Sequence, residues 1–214
     1  MLSVIIVAAG SSRRMGFDKL MAPLNGKPVL HHTLTALLTA AEVGEVILVS
    51  TQERYDELNI SNPNLKLVSG GSERHDSVAN GIAAISADSS YIAVHDGARP
   101  LITHEQITNV LNSAKQHGAA TSARKITETV KRSNDQQFAI ESVSRENLWL
   151  METPQIFKAD LLRKAYQHVK DSSALVTDEV SALELIGIPT FLAENATPNP
   201  KITFPHDLVI LEES

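Results

Sequence analysis

Val4-Ile5-Ile6-Val7-Ala8-Ala9-Gly10-Ser11-Ser12-Arg13-Arg14-Met15-Gly16-Phe17-Asp18-Lys19 is the stretch that decides the fold. Its head, Val4 to Ala8, is a short unbroken apolar run. A half-buried strand would alternate, so this run reads as a strand covered on both faces in a parallel sheet. Ala8, Ala9 and Gly10 carry little or no side chain, which lets another group approach the backbone closely. Arg13, Arg14 and Lys19 then fall beyond the carboxyl end of the strand, where open α/β sheets bind ligands. Small residues for contact followed by cations for charge suggest a nucleoside triphosphate site. The same stretch also suits the plain opening of any α/β domain, with solvated arginines. It carries neither the G-x-G-x-x-G dinucleotide fingerprint nor a Walker loop. No basic residue precedes the apolar run, as a secretory signal would require.

The rest of the chain continues that alternation. Apolar runs at Val46–Ser50, Leu65–Ser69, Tyr91–His95 and Ala119–Ala123 read as further strands. Amphipathic stretches at Val29–Ala41, Gln52–Leu58, Ser77–Ile85, Lys158–Val169 and Asp178–Gly187 read as helices, and Thr103 caps another. Strand–helix alternation predicts a mostly parallel sheet with right-handed crossovers. Ile126–Arg132 and Phe138–Val143, separated by a polar turn, predict a hairpin with no strongly apolar face, which needs something to pack against. Phe191–Leu192 and Ile202–Phe204 predict short strands before a last helix near His206–Leu211.

Composition narrows the function. The 214 residues fit one domain, 43% of them are hydrophobic, and no apolar stretch approaches a membrane span. A net charge of −6 argues against a general nucleic-acid binder while allowing a local basic pocket. There is no cysteine, which excludes disulfides, thiolate zinc and a cysteine nucleophile and is compatible with a cytoplasmic setting. The eight histidines form no H-x-x-x-H pair, so no histidine metal site is expected.

Three further clusters carry chemistry. Gly70-Gly71-Ser72-Glu73-Arg74-His75-Asp76-Ser77 joins a strand to a helix, and its hydroxyls and free N–H groups suit the edge of a base or an ordinary capped turn. His95-Asp96-Gly97-Ala98-Arg99-Pro100 ends another strand; Asp96 is a candidate Mg²⁺ or hydroxyl ligand, or simply the partner of Arg99. Thr129, Lys131, Arg132, Arg145, Thr153 and Lys201 add groups able to bind phosphate or sugar hydroxyls, with Thr153-Pro154-Gln155 read as a rigid polar turn.

The ordered set A-A-G-x-x-x-R-M, G-G-x-x-R-x-x-S-V, H-D-G-A-R-P, R-x-x-L-W, T-P-Q and N-x-K-I-T resembles the 2-C-methyl-D-erythritol 4-phosphate cytidylyltransferase (IspD) family over essentially the whole chain. The resemblance implies a Rossmann-like nucleotidyltransferase fold, residues 1–214 as one domain, and a protruding β-arm at about 124–147 exchanged between subunits of a homodimer. It implies Mg²⁺-dependent transfer of CMP from CTP to a sugar-alcohol phosphate with release of pyrophosphate. By motif position, Arg14, Lys19 and Lys201 take the catalytic places around the triphosphate. Ala8, Ala9, Gly10, Gly71, Ser72, Arg74 and Ser77 take nucleotide-binding places. Asp96, Arg99 and Thr153 match the acceptor site, with Thr129 and Arg145 supplied by the partner's arm, and Asp96 is the candidate metal ligand.

Departures from the family pattern are visible. Gly16-Phe17-Asp18-Lys19 is shorter than the usual form, lacks its proline and also resembles molybdopterin cytidylyltransferases; Ser72 stands where aspartate is common. The hairpin and Thr153-Pro154-Gln155 fit the molybdopterin enzymes poorly. A ribitol 5-phosphate cytidylyltransferase is the nearest alternative, and Arg145-x-x-Leu148-Trp149 favours methylerythritol phosphate over it. A non-catalytic nucleotide sensor is the alternative from another class; it would not require Arg14, Lys19 and Asp96 together. The sequence shows no Ser-His-Asp set and no acid–base carboxylate pair. A phosphate monoester is largely dianionic near neutral pH and needs no general base.

Overall fold

The structure, a computed structural model, describes residues 1–10 and 15–212. Its elements in chain order are β1 (Leu2–Val7), β2 (Pro23–Leu24), β3 (Lys27–Pro28), α1 (Val29–Thr39), β4 (Val43–Val49), α2 (Gln52–Leu58), β5 (Leu65–Val68), α3 (Arg74–Ala84), β6 (Tyr91–Asp96) and α4 (His104–His117). They continue with β7 (Ala119–Lys125), β8 (Val130–Ser133), β9 (Ala139–Val143), β10 (Trp149–Lys158), α5 (Ala159–Ser172), α6 (Glu179–Glu184), β11 (Phe191–Glu194) and α7 (Pro205–Glu212).

Seven strands form the central sheet in the order β11-β7-β10-β6-β1-β4-β5. β1 pairs in parallel with both β4 and β6, while β10 runs antiparallel between β6 and β7. The unbroken apolar run of β1 is explained by burial on both sides. Val4 and Ile6 face the core shared with α1 and α4, and Ile5 faces the core shared with α3 and α5. On that second face Gly81 lets α3 lie close, because a Cβ there would fall 2.7 Å from Ile5 Cγ2.

The chain leaves β1 toward β4 and β5, then α3 carries it back to β6 on the other side of β1. The carboxyl ends of β1 and β6 therefore flank a topological switch point, the place where such sheets form a ligand crevice. α3 begins at Arg74, earlier than its apolar spacing predicts, because Glu73 and Asp76 close a reciprocal capping box.

Three expectations need correction. Thr153-Pro154-Gln155 is not a turn but lies inside β10, whose inner half, Gln155–Lys158, pairs with β6. Pro154 is tolerated because it falls where the register against β7 shifts, between Met151 and Gln155, so no ladder bond is lost to its missing N–H. Residues 202–204 are not a strand. Ile202 makes a backbone bond to Ala98 (2.9 Å), and the amides of Thr203 and Phe204 donate to Asp207 Oδ2 at the head of α7. The arm's first strand is short, starting at Val130 instead of Ile126, whose N–H donates to Leu148.

The arm itself, β8 with β9, forms a two-stranded sheet separate from the main one. Phe138 and Ile140 on it are 69% and 61% exposed, a large apolar outlay for so short a ribbon. Among the described residues no helix is long and apolar enough to cross a membrane.

Candidate active site

A cleft of about 620 Å³ opens at the switch point. The ends of β1 and β6, the turn before α3, the turn carrying Lys19 and the segment leading to α7 all line it. It brings together Ala8, Ala9, Gly10, Lys19, Gly71, Ser72, Arg74, Ser77, Asp96 and Lys201, sequence candidates separated by up to most of the chain. Arg14 lies outside the described residues, together with Ser11, Ser12 and Arg13.

The wall built from the end of β1 and the turn before α3 is set by close packing. A Cβ on Gly70 would fall 2.3 Å from Ala9 Cβ, so a residue here without a side chain is what brings the loop against β1. Ser77 Oγ accepts from the Gly71 amide (3.0 Å) and donates to the Glu73 carbonyl (3.2 Å), so this hydroxyl braces the turn. Ser72 Oγ donates to Asp76 Oδ2 at 2.6 Å, which ties the serine to the helix cap. Arg74 reaches the cleft but is committed on its other side: its guanidinium pairs in bidentate fashion with buried Glu179 (2.7 and 3.0 Å), which also accepts from the Tyr166 hydroxyl. Burial disfavours the charge on Arg74, but Glu179 outweighs it and raises the pKa.

The opposite wall is electrostatic. Asp96 Oδ2 receives Lys201 Nζ at 3.0 Å and Arg99 Nε at 3.1 Å. Burial by itself would raise the Asp96 pKa. Lys201, Arg99 and Arg74 overcome that and hold the carboxyl well below the usual range. Lys19 Nζ donates to the Ile202 carbonyl (2.7 Å), one residue from Lys201, so two ammonium groups come from distant segments to one edge of the cleft.

Arg99 and Thr153, expected at the acceptor, do not line the cleft; both are buried behind Asp96. Arg99 Nη1 donates to the Asn199 carbonyl (2.6 Å), and Asn199 Nδ2 donates to the Thr153 carbonyl (2.9 Å). The Asp96 amide donates to Thr153 Oγ1 (3.1 Å). Thr153 therefore offers its hydroxyl proton to His95 Nδ1 (3.0 Å), leaving Nε2–H for the Arg99 carbonyl (3.4 Å). Thr129 and Arg145 sit on the exposed arm, where Arg145 Nη1 donates to the Thr127 carbonyl, and neither lines the cleft of its own chain.

His95 gives a stability prediction. Burial lowers its pKa from 6.5 to about 4, the neighbouring Asp96 notwithstanding. The unfolded chain then binds the extra proton between those values, so stability is complete above the ordinary pKa and falls as pH drops toward the folded one. The loss is expected to approach about 3 kcal/mol by pH 4. Urea midpoints measured between pH 7.5 and 4 should fall less steeply for His95→Gln than for the natural chain. Parallel slopes would remove His95 as the cause.

No three acidic or imidazole side chains converge as a metal cage among the described residues. Asp96 is a single carboxylate already drawing two cations, a donor set that suits an ion carried in by phosphates better than a resident one.

Fold and cleft together define an α/β nucleotidyltransferase-like protein, with small residues at a strand end beside the switch point and cations around a buried aspartate. Comparison with known proteins narrows the class. The family model of IspD, 2-C-methyl-D-erythritol 4-phosphate cytidylyltransferase, matches residues 2–213. The 2-C-methyl-D-erythritol 4-phosphate cytidylyltransferase of Alkaliphilus oremlandii is 38% identical, over 99% of this chain and 93% of its own. The crystal structure of the Francisella tularensis enzyme of that name superposes with a TM-score of 0.86 at 30% identity, covering 98% of this chain and 97% of its own. The 4-diphosphocytidyl-2C-methyl-D-erythritol synthase of Anaerococcus prevotii gives a TM-score of 0.87 at 27% identity, over 100% and 95%. The chain belongs to the 2-C-methyl-D-erythritol 4-phosphate cytidylyltransferase family.

Proposed function

We propose that the chain transfers CMP from CTP to 2-C-methyl-D-erythritol 4-phosphate, giving 4-diphosphocytidyl-2-C-methyl-D-erythritol and pyrophosphate in isoprenoid precursor synthesis. The observation that carries the reading is the cleft, where Lys19 and Lys201 stand at one edge and the small-residue wall of Ala8, Ala9 and Gly71 provides room for a nucleotide. An oxygen of the acceptor's phosphate attacks the α-phosphorus in line, a new P–O bond forms, and the bond to the bridging oxygen of pyrophosphate breaks. No base is needed because the nucleophile is already anionic. What the reaction needs is placement and neutralisation of developing charge. Arg14, Lys19 and Lys201 supply the charge. Asp96, held ionised, meets an acceptor hydroxyl or the metal that accompanies CTP. Behind it, Arg99 and Thr153 fix its position.

Mg²⁺ enters this proposal as part of the CTP complex, where it withdraws charge from the triphosphate. The active unit is a homodimer in which each arm brings Thr129 and Arg145 to the other subunit's acceptor site; the exposed apolar side chains of the arm support this. A cytoplasmic location belongs to the same reading, and a chain without cysteine is compatible with it.

The test is pyrophosphate release with CTP and Mg²⁺, comparing methylerythritol 4-phosphate with ribitol 5-phosphate. Strong preference for the first is expected. Preference for ribitol 5-phosphate would keep the chemistry and change the acceptor, and CTP binding with no release from either would leave a nucleotide sensor.

A further inference from the structure

Arg54 has no part in the sequence motifs, yet its side chain ties the end of β1 to the turn that bears Lys19. It sits on α2, nearly buried, outside the set of residues lining the cleft. Its guanidinium donates from Nη1 to the Ala8 carbonyl (2.5 Å), from Nη2 to the Gly10 carbonyl (3.0 Å) and from Nε to Asp18 Oδ2 (2.6 Å). The other oxygen of Asp18 accepts from the Leu20 amide (3.1 Å), so the carboxylate spans Lys19 and fixes the backbone on either side of it. One planar fork thus joins the strand end that lines the nucleotide wall to the turn that bears Lys19.

The chemistry of these acceptors is selective. Two carbonyls and a carboxylate converge from segments on both sides of residues 11–14, and only a guanidinium has donors rigidly disposed to meet all three. A lysine at the same place keeps the charge but ends in a single nitrogen. Packing alone would be served as well by an apolar side chain, since buried ion pairs add little net stability over well-packed hydrophobes. What the fork adds is geometry.

We infer that Arg54 is a positioning residue for cytidylyl transfer: through Asp18 it sets Lys19 against the reacting phosphate, and through the Ala8 and Gly10 carbonyls it sets the wall that receives the nucleotide. The inference rests on the function proposed above. A misplacement on the order of 1 Å at a reacting centre costs up to about 10²-fold in rate. Arg54→Lys is therefore expected to lower kcat about 10- to 100-fold, with a smaller change in KM for CTP.

The decisive measurement is a double-mutant cycle with Lys19→Ala, followed by pyrophosphate release and by thermal unfolding. If Arg54 acts through Lys19, the second substitution costs little once Lys19 is gone. Losses that simply multiply, or full activity in Arg54→Lys, would overturn the assignment. Asp18→Asn provides a second route should Arg54→Lys fold poorly. It keeps the acceptor for Leu20, lies at a partly exposed position, and is expected to reduce kcat in the same direction when assayed at temperatures where thermal unfolding shows the variant folded. Full activity in Asp18→Asn would equally overturn it. A natural chain inactive with every acceptor would instead strike at the proposed function, so the two failures are distinguishable.

Discussion

Lys19→Ala is expected to lower turnover about 10²–10³-fold, the usual cost of removing one preorganised donor from a transition state, while CTP affinity changes far less. The expectation follows from where the ammonium is held. Lys19 lines the cleft, and its Nζ donates to the Ile202 carbonyl, beside Lys201 and across from the nucleotide wall. On the proposed function the triphosphate also meets Lys201 and Arg14 in the ground state, so loss of one cation is expected to weaken binding modestly. In the transition state charge grows on the oxygen that becomes pyrophosphate, and a fixed ammonium is worth more there than before reaction. The measurement is steady-state pyrophosphate release with CTP titrated at saturating acceptor. A drop in kcat with KM nearly unchanged places Lys19 in the chemical step, because only an interaction stronger in the transition state has that signature. Raised KM with normal kcat would make it a binding residue only, and near-normal values of both would remove it from the reaction.

How this site was written in the sequence differs from residue to residue. β1 was readable because burial on both faces leaves an unbroken apolar run, and α2 because its amphipathic spacing is local. Ala8, Gly71 and Asp96 were readable because each ends or follows a strand, and strand ends converge in such a sheet. Lys201 was readable only through its motif, since the strand expected after it is absent. The same motifs could not separate contact from support. Arg99 and Thr153 share motifs with cleft residues but lie behind Asp96, a distinction made only by packing between β6, β10 and the Asn199 segment.

β10 was hidden for a different reason. Its inner half holds only the apolar pair Ile156-Phe157; Pro154 and the polar residues around it carry the signature of a turn, and only the local register shift reconciles proline with a strand. The small β2–β3 hairpin did have a signal, Asn25-Gly26, whose positive φ values of 48° and 78° are those of a two-residue hairpin turn. Arg54 had none. Two of its three side-chain acceptors are backbone carbonyls, which leave no mark on the sequence, and the third is 36 residues away. Glu179 was equally silent, being 105 residues from Arg74.

The arm carries the prediction with the largest span between outcomes. Arg145→Ala and Lys19→Ala proteins, each nearly inactive alone, are expected to regain activity when mixed and allowed to exchange subunits. Within one chain Arg145 bonds to the backbone of its own arm and does not line the cleft, so a role in catalysis requires another molecule's cleft. In a hybrid dimer one site combines both defects. The other has the Lys19 of one subunit and the arm of its partner, and is whole. Random exchange makes half the dimers hybrid, each with one intact site of two, so recovery should approach about a quarter of the natural activity for a closed two-fold assembly. That exceeds either parent many-fold, given the rate loss expected from each removed cation. The apolar exposure of Phe138 and Ile140 gives the physical reason for such an exchange: a two-stranded ribbon is marginal alone and gains stability by laying those side chains on a second copy. Verified subunit exchange with no recovery would mean that each site is completed within its own chain, and would leave Arg145 with a structural role in the arm.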